Sequence, residues 1–260
     1  SIECCAALQN LVVFYLRQLN EPRLWPVLER MLAIDQRRCE AGQYYDRVAY
    51  KPIDVFVSTK LKPAQCKLAL AALSRMLEVS KKLYGDDGRV GKIYSQMATL
   101  EISMGDNSAA EEHLKKALGI EDLYGVDGFG STYRKMLFDL LQKQGRQREC
   151  DLLKAAWIER DALLQKYRVN FYCEQNRDNM LTIYDVLQRE APYSPGLCTV
   201  AMALLGTVKG ASDGAKAIAY ATVALNAIEH NSLMSTGGCM PLPAPTDQRI
   251  VCLRTLIERN

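Results

Sequence analysis

The feature that most constrains the fold of this chain is an internal repeat. The block LYGDD at residues 83–87 returns as LYGVD at residues 123–127, a shift of 40 residues. Between the two blocks lie a helical pattern at 94–100, a turn at Gly105 and a second helical pattern at 109–118. One such unit is too small to bury its own apolar face, so it must stack on neighbouring units. The repeat therefore predicts an all-α fold of helical hairpins.

Small residues mark the points where the two helices of this unit cross. Ala98, Ala110 and Ala117 are spaced so that one helix approaches its partner closely. Larger apolar residues fill the space around them, namely Met97, Leu100, Leu114 and Leu118. We expect these alanines to be buried at the crossing.

Helical periodicity also dominates the rest of the chain. At its start, Leu8, Leu11, Tyr15 and Leu19 recur at spacings of three and four residues, which predicts a first helix. A further unit groups Phe56 with Ala69, Leu73 and Met76. The stretch 55–59 is the one strong β-like segment, and we interpret it as part of a helical hairpin because β-propensity yields to context.

The turn motif L-Y-G-x-D, the period near 40 and the segment GDNSAAEEHLKKAL at 105–118 resemble the tetratricopeptide repeats of kinesin light chains. The resemblance covers residues 1–160, best at 83–125 and next best at 8–41. The histidine and proline that follow the aspartate in that family are replaced here by nearby Gly88 and Gly128. The resemblance implies a right-handed superhelical solenoid that binds proteins in the cytoplasm, in association with the cytoskeleton.

The organisation predicted on this basis has four parts. Tetratricopeptide-like repeats occupy 1–160, and degenerate helical repeats packed on the same solenoid occupy 161–234. The range 235–246, with Gly237, Gly238 and three prolines, is a loop or linker, and 247–260 is a capping helix. Because the chain begins inside a helix-like pattern, we expect it to be a fragment of a longer protein.

The sequence contains few groups that could support catalysis or metal binding. Nine cysteines without a CxxC pair favour a reducing compartment, and His113 and His230 lie too far apart in sequence for a metal motif. We expect no catalytic residue, no metal and no cofactor, and we expect His113 to be a solvated surface residue. A net charge of +3 is too small to indicate nucleic acid, and no apolar run is long enough for membrane insertion.

In a tetratricopeptide solenoid the first helix of each hairpin lines the concave groove. Aligned in this way, the chain places a largely basic set of side chains in the groove: Asn10, Arg17, Lys62, Lys92, Gln96, Lys135 and Lys143. Asn10 and Gln96 would hold a peptide backbone, while the cations attract an acidic ligand. The alternative is that these are ordinary solvated lysines.

The leading hypothesis is a non-catalytic scaffold that binds an extended, acidic peptide segment of a partner protein. The alternative is a helical-repeat accessory domain of a larger enzyme, such as the SET-and-MYND methyltransferases. An RNA-binding repeat would need an aromatic or Arg residue at one position of every unit, and the sequence has no such series.

Overall fold

The computed structural model describes residues 2–40, 61–86, 88–123, 132–173, 177–208, 214–234 and 248–258. Within these ranges the chain forms eleven α-helices and no strand, which confirms the all-α helical-repeat fold. The helices are α1 Ile2–Arg17, α2 Glu21–Glu40, α3 Pro63–Tyr84, α4 Gly88–Met104, α5 Asn107–Leu123, α6 Thr132–Lys143, α7 Gln147–Cys173, α8 Arg177–Glu190, α9 Pro195–Thr207, α10 Gly214–Met234 and α11 Gln248–Glu258.

Three helical hairpins share one turn geometry. In each of them a residue with positive φ follows the first helix, namely Leu19 (54°), Gly105 (82°) and Gly145 (73°). The N–H of the following residue then donates to the carbonyl five residues back, at 2.9 Å for Asn20, 2.9 Å for Asp106 and 3.1 Å for Arg146. This Schellman closure satisfies the last carbonyls of α1, α4 and α6. The hairpins α1–α2, α4–α5 and α6–α7 thus repeat a local structure.

The first compact unit spans Ser1–Ile120, and its helices pack in chain order. Its core joins α1, α2 and α3 through fully buried residues that include Leu16, Leu28 and Met76. The buried face of α1 is Leu8, Val12 and Leu16. Leu11 and Leu19, which belong to the same apolar periodicity in the sequence, are exposed. A stripe of three aliphatic residues at spacing four is enough to bury one side of the helix.

The crossing of α4 and α5 is as the sequence predicts. Ala98, Ala110 and Ala117 are completely buried. Gly91 of α4 lies so close to α5 that a Cβ at this position would stand 3.4 Å from Ile120. Asp106 caps α5, because its side chain accepts a hydrogen bond from the Ala109 N–H at 3.2 Å.

The second compact unit spans Glu121–Asn260 and contains a core formed by α8, α9, α10 and α11. Within the range predicted as degenerate helical repeats, α9 and α10 form a pair of helices in which Ala201, Ala221 and Ala224 are fully buried. Ser194 caps α9 by accepting from the Leu197 N–H at 3.2 Å. None of the described helices has the length and apolar composition that a membrane span requires.

Several predicted features fall beside or outside these helices. The proposed boundary after residue 160 lies inside α7, which is continuous, whereas the compact units divide after Ile120. The range 235–246, residues 55–59 and the second LYG block beyond Leu123 lie outside the described residues. The helix predicted at 247–260 corresponds to α11.

Candidate functional site

Two of the predicted groove residues are brought together where α1 ends and α3 begins. The side chain of Gln65 accepts a hydrogen bond from the Lys62 N–H at 2.9 Å and donates to the Arg17 carbonyl at 2.9 Å. Both cationic side chains are exposed. Gln65 therefore fixes the backbones of Arg17 and Lys62 beside each other and leaves their charged ends in solvent.

The start of α3 adds to this positive charge. Lys62 is the residue before the helix, and the first turn contains Pro63 and no acidic residue. The first N–H groups of an α-helix carry a partial positive charge that favours anions. We name Arg17, Lys62 and the first turn of α3 the basic corner. Its chemistry suits a carboxylate.

The solvent face of α1 leads to the basic corner. Asn10, Phe14 and Arg17 are all exposed, and their spacing of four and three residues places them on one side of the helix. Phe14 keeps 53% of its surface exposed. An exposed aromatic ring between an amide and a guanidinium forms a small amphipathic surface. Phe14 is not among the predicted groove residues, although it belongs to the i, i+4, i+7 series that begins at Asn10.

The groove residues of α4 are less accessible. Lys92 is half-buried, and its carbonyl accepts the Ser95 hydroxyl at 2.8 Å. Gln96 is only 5% exposed. A peptide would reach the Gln96 amide only by displacing the atoms that cover it.

The last two predicted groove residues belong to the second unit. Lys135 and Lys143 are exposed on α6, with exposed Asp139 between them at spacings of four. All three lie on the solvent face of that helix. The predicted set is therefore divided, with Asn10, Arg17, Lys62, Lys92 and Gln96 in the first unit and these two lysines in the second.

His113 is more enclosed than the sequence analysis predicted. Its Nδ1 lies 2.8 Å from the carboxylate of Glu101, which is 8% exposed in side chain, and its ring stacks on Tyr94 with centroids 5.6 Å apart. Lys81 and Lys116 place their ammonium groups 5.4 and 5.7 Å from the Tyr94 ring. A hydrogen bond with Tyr94 raises the pKa of Lys81. These contacts tie α3, α4 and α5 together and give the cluster a structural role.

A second polar cluster fastens helices of the second unit. Arg134 of α6, 4% exposed in side chain, donates to Asp122 at 3.0 Å and to Asp161 at 3.1 Å. Arg160 donates to the Asp122 carboxylate at 2.8 Å and to the last carbonyls of α5 and α8, at Asp122 and Glu190. Burial opposes the charge of Arg134, but hydrogen bonds to the two carboxylates outweigh it and raise its pKa. We name Asp122, Arg134, Arg160 and Asp161 the arginine network.

No group of three or more metal-binding side chains occurs among the described residues. Comparison with protein-family models and with curated proteins finds no match to this chain. The basic corner and the adjoining face of α1 are therefore the candidate site, because they join exposed charge, an exposed ring and a fixed backbone.

Proposed function

We propose that this chain is a non-catalytic interaction scaffold that binds an extended, acidic peptide segment of a partner protein. The observation that carries the proposal is the basic corner, where Gln65 holds two exposed cations side by side. In this proposal the protein acts in the cytoplasm, alongside the cytoskeleton, as its resemblance to kinesin-light-chain repeats implies.

The face of α1 suggests which peptide fits. Asn10 and Arg17 are seven residues apart, which is about 10 Å along a helix and about three residues of extended chain. A peptide lying along this face would place an acidic side chain at Arg17 and Lys62 and an apolar side chain on Phe14. Asn10 would then donate to and accept from the peptide backbone. The expected ligand is thus an acidic residue near an apolar one.

The cations of α6 extend the same chemistry to the second unit. Lys135 and Lys143 offer two exposed charges about 12 Å apart along the helix, with one opposing carboxylate at Asp139. Exposed charges of this kind increase the association rate more than the final affinity. We therefore expect Arg17 and Lys62 to hold the peptide, and Lys135 and Lys143 to contribute little to its final affinity.

The test uses a labelled ten-residue peptide of alternating Glu and Leu and a matched peptide with Gln for Glu. Binding is measured by fluorescence anisotropy at low and high salt. We expect the acidic peptide alone to bind, with R17E/K62E losing affinity by about tenfold or more at low salt. The matched control is R30E/K82E, which reverses two exposed cations of the same unit away from the basic corner.

Phe14→Ala separates the apolar contribution from the charge. It should weaken binding by an amount that does not change with salt, because burial of a ring is not screened. If R17E/K62E and R30E/K82E lost the same affinity for the acidic peptide, the net charge of the protein would explain the loss and the basic corner would not be the binding site. Equal affinity of the Glu and Gln peptides would exclude the proposed ligand class.

A further inference from the structure

Two helix ends of the second unit meet at one side chain. Arg160, in the middle of α7, donates from its Nη2 to the Asp122 carbonyl in the last turn of α5. The same nitrogen donates to the Glu190 carbonyl at the end of α8, at 3.1 Å. The last carbonyls of an α-helix have no partner within the helix and carry a partial negative charge. Two such ends repel each other unless a cation lies between them, and Arg160 is that cation.

The guanidinium of Arg160 is also held from its other side. Its Nη1 donates to the Asp122 carboxylate at 2.8 Å, and the same oxygen accepts from Arg134 at 3.0 Å. The donors of a guanidinium point in fixed directions within one plane. The bond to the carboxylate therefore also orients the nitrogen that serves the two helix ends.

A backbone hydrogen bond joins the same two helix ends. The N–H of Tyr193, three residues after the end of α8, donates at 2.9 Å to the carbonyl of Leu123, the last residue of α5. The described hydrogen bonds of Arg160 go to Asp122 and Glu190, so this contact is separate from those of the guanidinium. The connection between α8 and α9 is thus fastened to the end of α5 by a side chain and by the backbone.

We propose that Arg160 is a latch that keeps the ends of α5 and α8 together, so that these ends and the α8–α9 connection open in one step. Without the guanidinium, two helix ends of like partial charge face each other, and the Tyr193 N–H bond alone opposes their separation. A single backbone hydrogen bond adds little net stability, because water replaces it when it breaks. The bond of Tyr193 should therefore open together with those of Arg160.

This latch is a conformational device and does not depend on the proposed peptide binding. Its residues belong to the second unit, whereas the basic corner belongs to the first. Folded proteins open locally in cooperative segments, and the exchange of amide hydrogens with solvent measures each opening. The amide of Tyr193 reports on the latch, since its acceptor belongs to α5 while it follows α8 in the chain.

The experiment is native-state hydrogen exchange followed residue by residue by NMR. The proteins are the wild type, Arg160→Gln, Arg160→Lys and the control Arg148→Gln, which changes an exposed arginine of the same helix. In Arg160→Gln we expect the amides of Leu123, Glu190 and Tyr193 to exchange about tenfold faster or more, and by one common factor. Arg148→Gln should exchange like the wild type. Arg160→Lys should lie between them, because lysine keeps the charge and loses the planar geometry.

The amides of Ala201 and Ala221, which are fully buried in α9 and α10, show whether the rest of the unit stays folded. We expect their exchange to be unchanged in Arg160→Gln. If they accelerated by the same factor as Tyr193, the unit would unfold as a whole and the latch would not be a separate step. Faster exchange at Glu190 with Tyr193 unchanged would reduce Arg160 to the cap of one helix and overturn the coupling. Wild-type exchange at both residues would overturn the latch itself.

Discussion

The hairpins α4–α5 and α6–α7 differ in how their helices hold together, although they turn in the same way. Both close with a glycine of positive φ, Gly105 and Gly145, and the same hydrogen bond back to the first helix. Between α4 and α5, buried alanines lie alongside the His113–Glu101 pair. In α6–α7 long and aromatic side chains also meet: Arg134 lies 5.6 Å from the Trp157 ring, and Lys154 lies 4.5 Å from the Phe138 ring.

This difference separates two roles of the sequence. The turn is a local backbone structure, so a short motif suffices to make a hairpin. The packing between the helices is decided by the side chains at the crossing, and both small residues and buried ion pairs can hold two helices together. In α4–α5 close approach at small residues contributes to stability, whereas α6–α7 adds the ion pairs of Arg134 to its buried apolar residues.

The largest effect should come from removing the centre of the arginine network. Arg134→Ala leaves Asp161 without its guanidinium and empties a buried position, so we expect a loss of about 3 kcal/mol. Urea unfolding measures it, with Arg148→Ala on the exposed side of α7 as the control, expected within about 0.5 kcal/mol of the wild type. Arg134→Lys should fall between them, because lysine keeps the charge and loses the two-pronged geometry. Equal stability of all three variants would show that α6–α7 does not depend on its network.

Overpacking the alanine crossing should be the next largest effect. Ala117→Leu adds bulk to a completely buried position between α4 and α5, and we expect a loss of about 1 to 3 kcal/mol. Ala71→Leu, on the exposed side of α3, is the matched control and should change little. The urea midpoints of the two variants measure how much stability each substitution removes. An unchanged midpoint for Ala117→Leu would remove close approach as the basis of this hairpin.

A smaller and opposite effect is expected two residues further along α5. Gly119 is exposed within the helix, and a Cβ there would meet nothing within 4 Å. Gly119→Ala should therefore stabilise the protein by about 0.5 to 1 kcal/mol, since alanine loses less backbone entropy on forming helix. Comparing the stability change of Gly119→Ala with that of Ala117→Leu separates the contribution of helix propensity in α5 from the contribution of its packing. A destabilised Gly119→Ala would mean that this side of α5 is in contact after all.

The smallest effect concerns an exposed ion pair, as a contrast with the buried network. Arg75 of α3 lies 2.7 Å from Glu29 of α2, and its hydrogen bond lowers the pKa of that carboxylate. A carboxylate with a lowered pKa in the folded state stabilises the protein above its unfolded pKa of about 4.3, and the gain is lost as the pH falls. Glu29→Gln should be slightly less stable than the wild type at pH 7, and the two should converge in acid. Thermal unfolding across this range tests it, and a constant difference would contradict it.

The sequence determined the elements of this protein and their local closures. The helices, the turns at Gly105 and Gly145, and the buried Ala98, Ala110 and Ala117 all follow from periodicity and spacing, because such features involve residues close in the chain. The exposed cations Arg17, Lys62, Lys135 and Lys143 are also where the repeat alignment predicts side chains open to a ligand.

Only the tertiary structure decided which side of a helix is covered and which distant side chains meet. The buried side of α1 is Leu8, Val12 and Leu16, whereas Phe14 is exposed. Only one of the two apolar sides of α1 contacts the neighbouring helices. Gln96 is buried and His113 is paired with Glu101 for the same reason. The arginine network joins residues 12 to 38 positions apart. No local pattern encodes such a pairing, since it depends on how whole helices pack.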